Sequence, residues 1–123
     1  MNKLGILAIV LAVSFIWMSN GAQKEIASVV YDDINMDLVA NGTYSGESEL
    51  GPVFVQVEVT VQDNMINNIE IIEHRNGLGR KAEPIIEDII AKNSYEVDAI
   101  NGATVSSEAI KSAVNKALKE GYQ

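Results

Sequence analysis

Three hydroxyl side chains lie close together in residues 98–107, directly before the longest amphipathic stretch of the chain. The segment reads Asp-Ala-Ile-Asn-Gly-Ala-Thr-Val-Ser-Ser, so Gly102 and Ala103 precede Thr104 at the expected start of a helix. The first turn of a helix carries unpaired N–H groups and the positive end of the helix dipole, and both favour a bound phosphate. Because Gly102 and Ala103 lack bulky side chains, a phosphate could approach the backbone, and Thr104 would place a hydroxyl beside it.

The same hydroxyls are also typical of a simple helix cap. A Ser or Thr side chain at such a point can accept a hydrogen bond from a backbone N–H, and Thr104, Ser106 and Ser107 are all candidates. These ten residues taken alone therefore allow two interpretations, a phosphate site and a structural cap.

Composition excludes several classes of function. The chain has 123 residues, a net charge of −8, one histidine and no cysteine. An acidic balance without a basic patch argues against nucleic acid as a partner. The absence of cysteine excludes disulfides, thiolate metal sites and a cysteine nucleophile, and one histidine among scattered carboxylates does not form the pattern of a metal site.

Residues 1–22 have the pattern of a signal peptide or a membrane anchor. Lys3 precedes an apolar run that extends from residue 4 to residue 18, and Ser-Asn-Gly-Ala follows. The run is short for a spanning helix, which needs about 20 apolar residues, but it suits the apolar core of a secretory signal. Cleavage and retention as an anchor stay open, with Trp17 suited to the membrane interface in the second case. Both interpretations place the domain outside the cytoplasm.

Residues 23–40 are expected to be a linker or stalk, or an early packing segment. Apolar residues recur at every fourth position from Ile26 to Leu38, which would suit a helix. The Asp-Asp-Ile-Asn run inside the segment favours turns instead.

A strand pair forms the centre of the domain, which we expect at residues 41–121. Valines at every second position from Val53 to Val61 predict a strand with one buried face. Gln-Asp-Asn then predicts a hairpin turn, and a partner strand follows. In that partner, Ile72 falls on the face opposite Ile69 and Ile71, which favours a central strand or one covered by a helix.

Two helices follow the strands. The first helix follows a loop with two glycines, and we expect it to begin at Pro84. A short extended segment connects this helix to residues 98–107. One stripe of the last helix is apolar: Ala109, Ile110, Ala113, Val114, Ala117 and Leu118. The expected fold class is therefore α+β, with a small, mainly antiparallel sheet covered by two helices.

The order of these features resembles the FMN-binding domain family, from about residue 37 to residue 118. Residues 98–107 and the Ala-rich helix look like the family's signature, and Asn-Gly-Thr-Tyr-Ser-Gly at 41–46 is similar to its opening Asp-Gly-Thr-Tyr-x-Gly. Glu-His followed by Gly-Leu-Gly resembles the family's histidine and Gly-rich loop. The family includes flavin-carrying subunits of Rnf complexes and of sodium-pumping NADH:quinone oxidoreductase, single-domain surface proteins and extracytoplasmic reductases.

The resemblance implies that the cofactor is FMN and that Thr104 is its attachment point. In many members a flavin transferase takes FAD, releases AMP and leaves FMN joined through its phosphate to this threonine. Asp98 would belong to the recognised motif, where it either fixes the turn or binds the transferase's metal. The implied cofactor-binding residues are Thr104, Asp98, Asn101, Gly102, Ala103, Ser106, His74, Gly77, Leu78 and Gly79.

The sequence departs from the family pattern at two positions. Asn101 stands where the family usually has Ser or Thr; it suits a turn, but it leaves recognition by the transferase and covalent attachment open. Asn76 stands before Gly77, where larger members often carry Thr-Pro, and this indicates a simpler loop with a smaller flavin contact.

Several side chains near these motifs have competing interpretations. His74 and the Gly-rich loop could line the flavin pocket or be structural elements. Tyr44 could stack on flavin, but we expect it to pack in the core. Arg80 and Lys81 could attract a phosphate, but we expect them to face solvent.

The first functional hypothesis is an extracytoplasmic flavoprotein that carries electrons through covalent FMN. The cofactor would supply the chemistry, so the domain would be a redox carrier without catalytic residues of its own rather than a stand-alone enzyme. Its partners would be the flavin transferase and a membrane or extracytoplasmic redox protein. The alternatives are a non-covalent FMN-binding module and a secreted interaction domain that has lost the flavin.

Overall fold

The computed structural model describes residues 29–123, so the expected signal or anchor segment and Ile26 lie outside the described residues. A 3-10 turn at Met36–Leu38 comes first. The strands are β1 (Gly42–Leu50), β2 (Val53–Gln62) and β3 (Met65–Arg75), and the helices are α1 (Gly79–Ala82), α2 (Ile85–Lys92) and α3 (Thr104–Glu120). The strands form one antiparallel sheet in the order β1-β2-β3, which confirms the predicted α+β fold. From residue 29 onward, no helix is long and apolar enough to cross a membrane.

The core lies between one face of the sheet and α3. The valines of β2 that share this face are all buried: Val53, Val55, Val57, Val59 and Val61. The apolar stripe of α3 that the sequence predicted packs against β1 and β2, and all six of its residues are fully buried. Removing this apolar surface from water contributes about 25 cal/mol per Å². The long helix is thereby fixed along the sheet, and its first turn is held at one end of the domain.

Strand β3 lies at an edge of the sheet and contains two bulges. The pairing with β2 shifts register twice, and Asn67 and Ile72 are the residues left without a partner. The first bulge explains why Ile66 and Ile69 are both buried although they are three residues apart. The second leaves Ile72 45% exposed. Of the two alternatives predicted for this strand, the central position was wrong, while helix α2 does contact β3. Ile72 itself reflects a bulge and not a second buried face.

Asparagine residues stand at the turn before β3 and at the end of helix α2. Asp63 and Asn64 have φ values of 54° and 62°, as the predicted hairpin turn requires. Helix α2 follows Pro84 as expected and ends at Asn93 with φ 57°. The Asn93 side chain accepts a hydrogen bond from the Ile66 N–H at 2.7 Å and donates one to the Asn64 carbonyl at 3.1 Å. These two bonds tie the end of α2 to the hairpin.

Residues 29–40 pack along the outside of α3 and contain no regular helix beyond the 3-10 turn. Tyr31 stacks on Tyr95 with ring centroids 5.0 Å apart, and its hydroxyl donates to the Glu108 carboxylate at 2.5 Å. The Asp32 N–H donates to Asn115 Oδ1 at 3.0 Å, and Asn115 Nδ2 donates to the Asp32 carbonyl at 2.8 Å. Because Asn115 is 1% exposed, this reciprocal pair is shielded from water.

Replacing Asn115 by alanine should lower the free energy of unfolding by about 1–3 kcal/mol, because the Asp32 N–H loses its partner and the Asp32 carbonyl keeps only the longer bond from the Tyr95 hydroxyl. Urea denaturation followed by circular dichroism measures the change. Lys116→Ala is the matched control, since Lys116 is the exposed neighbour on the same helix, and it should change the value by less than about 0.5 kcal/mol. Equal unfolding midpoints for the two variants would show that residues 29–40 do not dock on α3 in solution.

Candidate functional site

Helix α3 begins at Thr104, where the sequence predicted its start. The N-cap residue is Ala103, which supplies no side-chain cap. The N–H groups of the first turn have no partner within the helix and lie at the positive end of its dipole. The Thr104 side chain is exposed, so its hydroxyl is accessible beside these donors. This arrangement can hold an anion and offers a hydroxyl next to it.

Two buried serines follow Thr104, and they tie neighbouring loops to α3. The Ser106 hydroxyl accepts a hydrogen bond from the Leu78 N–H at 2.8 Å. The Ser107 hydroxyl accepts one from the Ile100 N–H at 3.0 Å. Both donors lie outside α3, so the interpretation of these serines as caps of their own helix was wrong. Their role is to hold the Gly-rich loop and residues 98–103 against the first turn.

The turn before α3 depends on Gly102. The Ala103 N–H donates to the Ile100 carbonyl at 3.0 Å, and Gly102 has φ +81°, the positive value that a type II turn requires at its third residue. Asn101, at the second residue, is exposed. A Cβ at Gly102 would also lie 2.6 Å from Lys81 Nζ. Glycine is therefore favoured here by the backbone angle, whereas the flexible end of Lys81 could move aside for a side chain.

The Gly-rich loop lies against the same turn of α3. A Cβ at Gly77 would lie 2.5 Å from His74 Nε2 and 2.5 Å from Ser106 Oγ, so Gly77 is enclosed between these two side chains. Leu78 is 54% exposed, and Gly79 is the first residue of α1. The loop thus presents an apolar side chain to solvent beside the start of α3.

His74 is the polar side chain with the least complete set of contacts at this site. It pairs with Val55 on β2, and neither ring nitrogen, both of them buried, has a hydrogen-bond partner among residues 29–123. Burial lowers the pKa of His74 below its usual value, and the charge of Glu83 opposes this shift. A buried polar atom without a partner is costly, so His74 destabilises the fold unless its ring nitrogens gain a polar partner.

The structure brings most of the expected site residues together around the first turn of α3. One group consists of the residues expected to hold the phosphate, Asn101, Gly102, Ala103 and Thr104. The other consists of His74, Gly77, Leu78 and Ser106. Asp98 is exposed and borders an open groove of about 500 Å³, whose other lining residues are Asp88, Ala91, Lys92, Glu96 and Val97.

Two side chains have positions that the sequence left open. Lys81, expected to face solvent, is exposed but places its ammonium against Gly102. Its position depends on α1, a helix that the sequence did not predict. Tyr44 packs against Gly121 and donates to the Ala40 carbonyl at 2.7 Å, at the far end of α3. Because the 17 residues of α3 span about 25 Å, Tyr44 is part of the core and not of this site.

The stability of the protein should depend on pH through His74. Its pKa is about 6.5 in the unfolded chain and lower in the folded protein, so below pH 6.5 the unfolded state binds more protons. The free energy of unfolding should therefore fall as the pH drops from 7 towards 5, and His74→Gln should remove this part of the dependence. Urea denaturation at several pH values tests it. His74 is the only histidine, and the carboxylates are common to both proteins, so parallel pH profiles would contradict the burial of an unpartnered neutral imidazole.

Comparison with known families agrees with this geometry. The family model described as the FMN-binding domain matches residues 51–119, which is more than half of the chain. The matched range includes β2, β3, α1, α2, all of α3 except its last residue, and both groups of expected site residues. The chain therefore belongs to the FMN-binding domain family, and FMN is its cofactor.

Proposed function

We propose that this protein is an extracytoplasmic flavoprotein that carries electrons through FMN joined to Thr104 by a phosphodiester bond. The observation that carries the proposal is the exposed Thr104 hydroxyl at the uncapped start of α3. A covalent attachment point must be reachable by a second enzyme, and Thr104 meets this requirement. Ser106 and Ser107 do not, since both are buried and engaged in hydrogen bonds.

Attachment requires FAD and a separate flavin transferase. The Thr104 oxygen forms a bond to the phosphorus on the FMN side of FAD, the bond from that phosphorus to the bridging oxygen breaks, and AMP leaves. The hydroxyl proton is released. Among the described residues no base contacts the Thr104 hydroxyl, so the transferase would supply the activation. Asp98, exposed at the start of the motif, is available to the transferase or its metal.

The residues around Thr104 fit a phosphodiester. Such a group keeps one negative charge, which the unpaired N–H groups and the helix dipole of α3 stabilise. The positive φ of Gly102 leaves its peptide open to close approach. The N–H groups of the first turn would then gain the partners that neither the helix nor Ala103 provides.

The neighbouring loop fits the ring system of FMN. A neutral imidazole has one donor and one acceptor nitrogen, and both nitrogens of His74 lack partners among the described residues. Gly77 brings backbone close to His74, and exposed Leu78 adds an apolar surface. When bound, FMN supplies one- and two-electron transfer, while His74 and Gly77 orient it and Leu78 limits its contact with water.

Two features support a carrier that works outside the cytoplasm. The pattern of residues 1–22 is that of a signal peptide or membrane anchor, and a covalent bond would prevent loss of the cofactor after export. Thr104 and Leu78 are both exposed, so a membrane or extracytoplasmic redox partner could approach a flavin bound beside them.

A second candidate is a module that binds FMN without a covalent bond. Asn101 favours this alternative, because it replaces the Ser or Thr that family members usually carry in the motif. Asn101 is exposed in the turn, where a transferase would contact it. The fold and the anion site would be unchanged in this case, and only the covalent step would be missing.

Co-expression with a flavin transferase should give a yellow protein whose intact mass rises by one FMN minus one water. Thr104→Ala should abolish the increase because no acceptor hydroxyl remains, whereas Thr104→Ser, which keeps a hydroxyl, should retain at least part of it. Mass spectrometry under denaturing conditions makes the measurement.

The outcomes separate the two candidates. Colour that is lost on denaturation, with no change in mass, supports non-covalent binding. An unchanged mass increase in Thr104→Ala would contradict Thr104 as the acceptor. A protein that stays colourless under every flavin-loading condition would overturn both.

A further inference from the structure

We propose that the Lys81 ammonium is the cationic contact for the phosphate group held at the start of α3; this inference rests on the proposed function. A Cβ at Gly102 would lie 2.6 Å from Lys81 Nζ and 3.1 Å from Lys81 Cε, so the end of the lysine side chain occupies the space beside the Gly102 Cα that a side chain would fill. Gly102 stands two residues before Thr104, so the ammonium lies at the end of α3 that carries the unpaired N–H groups.

A chain of contacts fixes Lys81 at this position. The Ser106 hydroxyl accepts from the Leu78 N–H at 2.8 Å, and the Leu78 carbonyl accepts from the Ala82 N–H at 2.8 Å. Ala82 is fully buried, which anchors the end of α1. Lys81 precedes Ala82 in α1, so its backbone belongs to a helix that is hydrogen-bonded to the first turn of α3 through Leu78.

The charges around the Lys81 ammonium favour a bound anion. The start of a helix is the positive end of its dipole, so it repels the exposed Lys81 ammonium weakly, and an anion bound between them would be attracted by both. In the part of the chain that the structure describes, Lys81 forms no ion pair with a carboxylate. A phosphate mono- or diester would accept from the ammonium and from the N–H groups of α3 together, and it would remove the repulsion.

Arg80 provides a matched control on the same short helix. It is exposed and carries the same charge, so Arg80→Gln and Lys81→Gln change the net charge of the protein equally. Among residues 29–123, apart from the chain neighbours of Gly102, Lys81 alone has atoms within 4 Å of the Cβ position at Gly102. A difference between the two variants therefore reports a local contact and not the overall field.

The first experiment measures the initial rate of flavin attachment. Wild type, Lys81→Gln, Lys81→Arg and Arg80→Gln are incubated with flavin transferase and FAD, and the modified fraction is followed by intact mass. Lys81→Gln should be slower by about fivefold or more, Lys81→Arg should recover part of the rate, and Arg80→Gln should stay within about twofold of wild type. Equal rates for Lys81→Gln and Arg80→Gln would overturn the proposal.

The second experiment does not depend on the covalent bond. Inorganic phosphate is titrated into the unmodified protein while the amide signals of Gly102, Ala103 and Thr104 are followed by NMR. Lys81→Gln should weaken the apparent affinity by about fivefold, and Arg80→Gln should not. Wild type that binds phosphate here without accepting flavin would contradict the proposed attachment but not the role of Lys81. The same affinity in both variants would exclude that role.

Discussion

Two adjacent serine hydroxyls hold the first turn of α3 between the loops that flank it. Ser106 accepts from Leu78 in the Gly-rich loop, and Ser107 accepts from Ile100 in the turn before the helix. Both serines are buried, so neither bond competes with water. These bonds determine where the loops meet α3 and leave Thr104 on the surface between them.

The apolar core determines where this assembly lies in the molecule. The valine face of β2 fixes the rotation of α3, because the apolar stripe of the helix must face the sheet. Residues two apart in a helix lie about 200° apart, so Ser106 points inward while Thr104 is exposed. Ser107 lies between these two directions and is also buried. Reciprocal bonds between Asp32 and Asn115 hold residues 29–40 against the outer side of the same helix. The position of the Thr104 hydroxyl thus follows from packing along the whole length of α3.

Much of the fold could be predicted because periodicity is a local property of the sequence. The valine alternation of β2 and the apolar stripe of α3 both matched the structure, as did the turn at Asn64.

The bulge at Ile72 was missed, since an extra residue in a strand interrupts the period without a signal of its own. Helix α1 was missed because glycine is a poor helix former and the burial of Ala82 comes from tertiary contacts. The position of the Lys81 side chain depends on α1 and was therefore not predicted either. Thr104 could be identified because its motif is contiguous, whereas the partnerless nitrogens of His74 can be recognised only in three dimensions.

Tandem mass spectrometry of the flavin-loaded protein is the most direct test of Thr104 as the attachment point. Trypsin releases residues 93–111 as one peptide that contains Thr104, Ser106 and Ser107. We expect fragment ions to place the added FMN on Thr104, because its hydroxyl is exposed and both serine hydroxyls are buried and hydrogen-bonded. Flavin on either serine, or on a different peptide, would contradict the attachment at the start of α3.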